Sequence, residues 1–266
     1  MADSFPAMLK DWRRRRRVSQ LDLGLSANVS ARHVAFLETG RSKPSRGMVL
    51  QLSEALMVPP AERNALLNAA GFSASYRRRD LTDPEIKHVY EAVTWTLERH
   101  DPFPGLAIDR HWTIVMANKS ATLLIAAAGL SVGDSLLDAA IHSPAMRAAI
   151  ENWSEVARYM ATRLRTESVH LGGDPVLDAA AAKLAGELRD TDNDGDQTSA
   201  AVVATRYRAG DVTLSLFSTI AQFGSAADIA LADLKIELMF PADEATRQIL
   251  ISSMNEIGEE VENKQV

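Results

Sequence analysis

Two serines, Ser19 and Ser30, each open a short apolar-periodic stretch that stops at a residue tolerant of positive φ, and this pairing constrains the fold more than any other feature of the chain. Ser19 can cap a helix over "QLDLGLSA". Asp22 stands in the capping-box position, and Val18 and Leu23 form a hydrophobic staple. Ser30 repeats the device, with Val29 and Val34 as the staple and a helix over "ARHVAFLET" stopping at Gly40. Between them lies only "ANVS", where Ala27 lets two helices approach and Asn28 tolerates the left-handed region. Two helices on so short a turn make a helix-turn-helix. With a helix before them, and with "RGMVLQLSEALM" and "AERNALLNAAG" after, they read as an all-α domain of five helices over residues 1–75.

Charge divides the chain at the same place. Residues 1–80 hold 14 Lys and Arg against 7 Asp and Glu, a net of +7; the rest holds 15 against 28, a net of −13. A phosphate backbone attracts the first part and repels the second. The stretch "DWRRRRRVSQ" concentrates that charge, but five neighbours at about 100° per residue circle a whole helix and cannot share one partner. Leu9, Trp12, Arg13 and Arg16 fall at i, i+3, i+4 and i+7, a packed stripe, so Arg13 is read as structural. Arg14 and Arg15 point outward, to phosphate or to solvent.

The run "SQLDLGLSANVSARHVAFLETGRSKP" resembles the Cro/C1-type helix-turn-helix of phage repressors and the XRE regulators. The resemblance implies that the second helix of the motif enters the major groove, which makes Ser30, Ala31, Arg32, His33 and Phe36 the base-facing candidates. Arg32 suits guanine O6 and N7, and Phe36 or Ala31 a thymine methyl. Phe36 is assigned to the groove because Val34 and Leu37 already supply an inward stripe. The same resemblance gives Gln20, Arg41 and Lys43 as phosphate contacts and pairs Arg13 with Glu38 as a structural ion pair. The chain departs from the family at Arg17, where glycine is usual.

A linker over 76–83 follows, with Arg77, Arg78 and Arg79 read as a solvated hinge. Residues 84–266 read as mixed α and β. A helix over "PEIKHVYEAVTWTLERH" precedes a hairpin "PGLAIDRHWTIVMAN" turning at Asp109–His111, and helical stretches cover 118–128, 144–168 and 174–190. A second hairpin turns at Gly210–Asp211. A half-buried strand "DLKIELMF" carries Leu234, Ile236, Leu238 and Phe240 on its apolar face and ends at Pro241. The expectation is an α+β domain, an antiparallel sheet with helices against one face.

This order of elements, carried by "PFPGLAIDRHWTIVMANKSA" and "LADLKIELMFPADEATRQIL", resembles the PAS-like ligand-binding domain of MmyB-like transcription regulators. The resemblance implies a small apolar, fatty-acyl-like ligand between sheet and helices, with Trp112, Ile114, Met116, Tyr207, Phe217 and Phe240 as candidate contacts. Apolar strand residues are more often plain core than pocket lining. Arg206 and Arg208 read as exposed strand arginines or as partners of a ligand carboxylate.

Other chemistries find only fragments. "GLSVG" at 129–133 copies a nucleophile elbow, but Ser131 follows a helical stretch, and "GDSL" at 133–136 copies an esterase signature without its late histidine. "DTDNDG" at 190–195 opens like a calcium loop, but Ala201 stands where a bidentate glutamate belongs. No cysteine is present, and the six histidines show no metal spacing. No apolar run of about 18 residues suggests a membrane span or a leader. The expectation is a cytoplasmic, homodimeric DNA-binding transcription regulator. It is not an enzyme, has neither cofactor nor metal, reads a palindromic operator on double-stranded DNA and senses an apolar ligand. The alternative is a constitutive regulator whose second domain only dimerises or meets a protein; a GDSL-like esterase is the remote one.

Overall fold

The capped stretches form the helices that their serines announce. In a computed structural model describing residues 4–189, 202–224 and 226–263, the chain begins with α1 (Phe5–Arg15), α2 (Gln20–Ser26), α3 (Ala31–Glu38), α4 (Arg46–Ala55) and α5 (Pro60–Ala69). The Ser19 hydroxyl accepts from Asp22 N–H and that of Ser30 from His33 N–H, both at 3.1 Å. Asn28 and Gly40 end the two helices at φ +49° and +73°. Leu9, Trp12, Leu23, Val34, Leu37 and Leu52 share one buried core. Arg17 stands at φ +56°, so the backbone there takes the left-handed turn for which glycine is suited, in spite of the side chain.

The chain divides into two units at Asp80, within the linker stretch; the first also takes in Ser168–Asp174 and Gly224–Ala232. Arg79, expected in a solvated hinge, instead pairs with buried Asp228, Nη1 to Oδ2, at 3.0 Å.

The second unit opens with a 3-10 turn (Pro84–Ile86) and α6 (Lys87–His100), then β1 (Gly105–Ile108), β2 (Ile114–Ala117), α7 (Lys119–Ala127), α8 (Leu136–His142), α9 (Pro144–Ala148), α10 (Trp153–His170) and α11 (Pro175–Arg189). It continues with β3 (Thr205–Ala209), β4 (Val212–Gln222), β5 (Lys235–Pro241) and α13 (Glu244–Asn263), with the short α12 (Ile229–Asp233) leading into β5. The five strands form one antiparallel sheet in the order β2-β1-β5-β4-β3. β5 lies at its centre because both hairpins pair with it.

Three expectations are corrected. The helical stretch over 144–168 is two helices, because residues 149–151 leave the helix to pair with the edge strand β3: Arg208 N–H donates to Ala149 O and Glu151 N–H to Arg206 O. β5 is not half-buried. Lys235 and Met239 are as buried as Ile236, since neighbouring residues point to opposite faces and both faces are covered. For the same reason helices lie on both sides of the sheet. Val93 and Leu97 of α6 pack with Ala107, Leu234 and Ile236 on one face, while Arg163 of α10 reaches Glu237 on the other.

Arg17 yields a test. An L-residue in the left-handed region costs about 1–2 kcal/mol, against about 0.5–1 kcal/mol for the extra freedom a glycine loses on folding. Arg17→Gly is expected to leave stability unchanged or to raise it by up to about 1 kcal/mol, and Arg17→Val to lower it. Denaturant unfolding of the two variants measures both; a clear loss in Arg17→Gly contradicts the strain argument.

Candidate functional site

In the helical unit, a bidentate pair ties α1 to α3. Arg13 Nε donates to Glu38 Oε1 at 2.5 Å and Nη2 to Oε2 at 2.9 Å, while Nη1 donates to Val18 O at 2.9 Å. The Gln20 amide adds a bond to Glu38 Oε2 at 2.8 Å, so this side chain is turned inward to the pair. Burial alone pushes the Glu38 carboxyl up, but hydrogen bonds from Arg13 and Gln20 and the Arg13 charge outweigh it and hold the group below the usual carboxylate range.

The α3 candidates occupy the helix that ends in Glu38. Ser30 spends its hydroxyl on the cap, Arg32 is exposed, and Ala31 and His33 are half-buried at the N-terminal turn. Phe36 is half-buried, with the Arg32 guanidinium 5.2 Å and the Arg41 guanidinium 6.0 Å from its ring centre, so these three side chains form one cationic, aromatic cluster. Lys43 is exposed in the loop beyond. On α1, Arg14 is exposed and Arg15 pairs with Asp11 at 2.6 Å. Sequence reasoning gave Arg16 no task, although it stood in the packed stripe. Its guanidinium donates to Leu56 O and Met57 O, both at 3.1 Å, closing the end of α4 where Met57 turns to φ +49°.

In the second unit, a cavity of about 390 Å³ lies against the sheet. Its apolar walls include Leu106, Leu124, Ile150, Met160, Leu216 and Met239. Trp112, Tyr207 and Phe217 line it as well. The other three aromatic and aliphatic candidates lie elsewhere. Ile114 is fully buried, Met116 packs beside the α6 core, and Phe240 stacks on Phe217 and meets His100 edge-on. Of the two strand arginines, Arg208 reaches the cavity wall and Arg206 lies near Glu151 at 4.0 Å.

Arg163 and Glu237 put charge into the lining, and both belong to a cluster with Glu167 and Lys235. Arg163 Nε donates to Glu167 Oε1 at 2.9 Å and Nη1 to Glu237 Oε2 at 3.1 Å; Lys235 Nζ donates to Glu167 Oε2 at 2.7 Å. The Trp112 indole N–H joins Glu167 Oε2 at 2.9 Å, and the Arg163 guanidinium sits 4.3 Å from the Trp112 ring centre. Trp112 itself is held at φ +62°, a region bulky residues rarely adopt, by its N–H on Asp109 O and its carbonyl under Leu136 N–H. Burial drags the Lys235 ammonium below its ordinary value despite Glu167, while Lys235, Trp112 and Arg163 together hold Glu167 below the usual carboxylate range against its own burial. Burial, and then the Glu237 charge, push the Tyr207 phenol up, keeping it a neutral hydroxyl.

These four charged residues escaped sequence reasoning, although a signal was present. Arg163 and Glu167 are an i, i+4 pair, and Lys235 and Glu237 alternate on the face of β5 opposite Ile236 that was assigned to solvent.

A model of the ligand-binding domain of MmyB-like transcription regulators matches residues 89–251, from α6 into α13, and a helix-turn-helix domain model matches residues 7–66, covering α1 to α5. The chain belongs to the MmyB-like regulator family. It is a DNA-binding transcription regulator with a MmyB-like ligand-binding domain behind its helix-turn-helix. A comparison with curated proteins finds no significant match.

In the MmyB-like domain the serines of the two esterase-like strings hold turns. Ser131 places both its N–H and its hydroxyl on Asp134 Oδ2, at 2.8 and 2.9 Å, and Ser135 caps α8 through Asp138 N–H. The calcium-like string at 190–195 lies outside the described residues. Among the described residues no group of acidic and histidine side chains could hold a metal, and no helix is long and apolar enough to cross a membrane.

The Arg13 pair predicts a pH dependence. Because the folded-state pKa of Glu38 is depressed, its contribution is complete above the ordinary carboxylate range and is lost as pH falls through the depressed value. Arg13→Ala is expected to cost about 3–5 kcal/mol by stranding a buried carboxylate and to weaken the acid dependence, whereas Arg14→Ala leaves both unchanged. Urea unfolding of the three proteins at neutral and acid pH reads out both effects.

Proposed function

We propose that this regulator binds a palindromic operator as a homodimer in the cytoplasm, and that its MmyB-like domain senses a small apolar or fatty-acyl-like molecule held in the cavity beside the sheet. The observation that carries the ligand reading is the cavity itself. It is of ligand size, walled mainly by aliphatic and aromatic side chains with a few convergent polar groups, and lies in the domain whose family binds ligands. Trp112, Tyr207 and Phe217 are its aromatic contacts.

On DNA, α3 enters the major groove. Arg32 donates to guanine O6 and N7, Phe36 or Ala31 packs on a thymine methyl, and Ser30 and His33 stand at the groove floor. Arg41, Lys43, Arg14 and Arg15 meet phosphates, and Gln20 opens α2, where first-turn N–H groups favour a phosphate. Two such helices about 34 Å apart read half-sites one helical turn apart.

Two outcomes test these roles. Arg32→Ala should cost about 1–3 kcal/mol on operator DNA and relax preference at one base pair, while Lys43→Ala weakens specific and random duplexes alike and lowers the salt slope by about one. Anisotropy titrations on both duplexes across a salt series measure this; equal losses on both for Arg32→Ala contradict its base-reading role. A ligand at about 100 times its Kd should add roughly 2.7 kcal/mol of stability. To regulate, it must also change operator affinity, since equal affinity for two states shifts neither. Delipidated full-length protein that shows no thermal shift across a panel of amphiphiles favours a domain that only dimerises or meets a protein.

A further inference from the structure

One stretch of sheet edge has no neighbouring strand among the described residues. β3 is 5 residues long and β4 is 11, so their pairing ends at Thr205 opposite Leu216, while β4 runs on beside β5 as far as Gln222. The direction of its backbone groups follows from β3. Arg208 N–H and Arg206 O are spent on the outer side, on Ala149 and Glu151, so Thr205, Tyr207 and Ala209 face β4, and Val212, Leu214 and Leu216 face them in return. The register with β5 continues without a bulge, so Ser218, Ile220 and Gln222 turn their N–H and C=O to that same outer side. No backbone partner meets them there among the described residues. The outer edge of β3, by contrast, is closed at Ala149 and Glu151, and β2 is bonded at Ile114 to Gly133 and Asp134.

Exposed edges in native sheets are ordinarily blunted by charge, proline or a bulge, because unpaired backbone groups invite another strand. Residues 217–223, "FSTIAQF", carry none of these. Thr219, Ala221 and Gln222 are exposed, and Ile220 is 41% exposed. The ground beside the edge is also neutral. Exposed Tyr159, Thr162 and Thr166 of α10 form a groove of about 500 Å³ with Ile220 and Gln222, and the two charged residues that border it, Arg163 and Glu167, bond each other. Such an edge complements itself. Two antiparallel strands related by a two-fold axis at Ile220 set Ile220 against Ile220, Ser218 against Gln222 and Thr219 against Ala221. A charge near the axis would face its own like, and this stretch has none, although residues 81–266 as a whole carry a net charge of −13. A charged peptide finds no complementary charge on the same stretch.

We propose that two copies of this chain join by antiparallel pairing of residues 218–222, so that their five-stranded sheets become one continuous sheet across a two-fold axis at Ile220. The pairing rests on the reading of the protein as a homodimer and names its interface. Opposite residues with outward backbone groups exchange both hydrogen bonds, so Ile220 N–H donates to the carbonyl of the partner's Ile220 and accepts the reverse bond. A two-fold axis perpendicular to the sheet leaves both α10 helices on one face of it. The uncharged stripe of Tyr159, Thr162 and Thr166 on each α10 then faces the other across the axis.

The chain has no cysteine, so a single introduced one can form a disulfide only with its own symmetry mate. Opposite residues that exchange both hydrogen bonds stand about 5.5 Å apart between Cα atoms, inside the roughly 4.4–6.8 Å that a disulfide spans. Full-length Ile220→Cys treated with diamide is expected to become a covalent dimer at least ~10-fold faster than Gln222→Cys, whose mate is about four residues away along the strand, or Val212→Cys at the other end of β4. Val212 and Gln222 are both exposed, so access alone does not separate the three. Ile220→Pro removes the outward N–H and keeps the bonds to β5. In sedimentation equilibrium its dimer should dissociate at least ~10-fold more readily than the wild type's, with the circular dichroism unchanged. If that variant fails to fold, Ile220→Lys sets two like charges face to face and serves in the same measurement. Cross-linking no faster at residue 220 than at the two controls, or an edge variant that dimerises as tightly as wild type, overturns the proposal. The homodimer reading then stands with its interface elsewhere, and the edge belongs to another occupant. Wild-type protein that stays monomeric at every concentration defeats the homodimer reading and the proposal together.

Discussion

Arg163 is the side chain on which the ligand-binding domain depends. It comes from α10, meets Glu167 one turn along its own helix, crosses to Glu237 on the central strand of the sheet and covers the Trp112 ring in the β1–β2 loop. A helix, the sheet centre and a loop are thereby held to one geometry by a planar fork with fixed donor directions. The cost of burying such a group is met only while all its partners are present, since removing one partner of a buried pair leaves an uncompensated charge. That makes the cluster a weak source of net stability and a strong source of definition. It fixes where the cavity's polar wall stands relative to its apolar walls.

The helical domain uses the same chemistry on a smaller scale. Arg13 and Glu38 join α1 to the end of α3, and Gln20 brings the start of α2 to the same carboxylate, so three helices meet at one charge. The arginine run around it divides its labour as helix geometry requires. Arg13 is inward and paired, Arg14 is exposed, and Arg15 holds Asp11. Arg16 closes the end of α4, and Arg17 makes the left-handed turn out of α1. Five identical neighbours thus have five different surroundings, because each step of about 100° faces a different part of the domain.

The helical domain was readable because its instructions are local. A serine that caps its own helix three residues on, a small residue at a tight turn and a glycine at a stop act over distances the sequence displays directly. The hairpins turning at Asp109–His111 and Gly210–Asp211 were readable for the same reason. The break after Ala148 was not. Ala149 and Glu151 continue a helical pattern in sequence, and they leave the helix only because β3, more than fifty residues away in the chain, offers an edge to pair with.

What the sequence determined by itself is the order of the five strands, the division near residue 80 and, through its resemblance to a known motif, the helix-turn-helix with its Arg13–Glu38 pair. Each follows from caps, turns, charge segregation or a motif of many fixed positions. Only the tertiary structure decided which polar residues are buried together. Lys235 and Glu237 alternate with Ile236 as the exposed face of a two-faced strand should. Their burial follows from α10 bringing Arg163 and Glu167 across the sheet to neutralise them. Alternation can tell which side chains share a face. Whether that face meets water or a partner of opposite charge depends on elements that converge only when the chain has folded, which is why the polar wall of the cavity could not be read in advance.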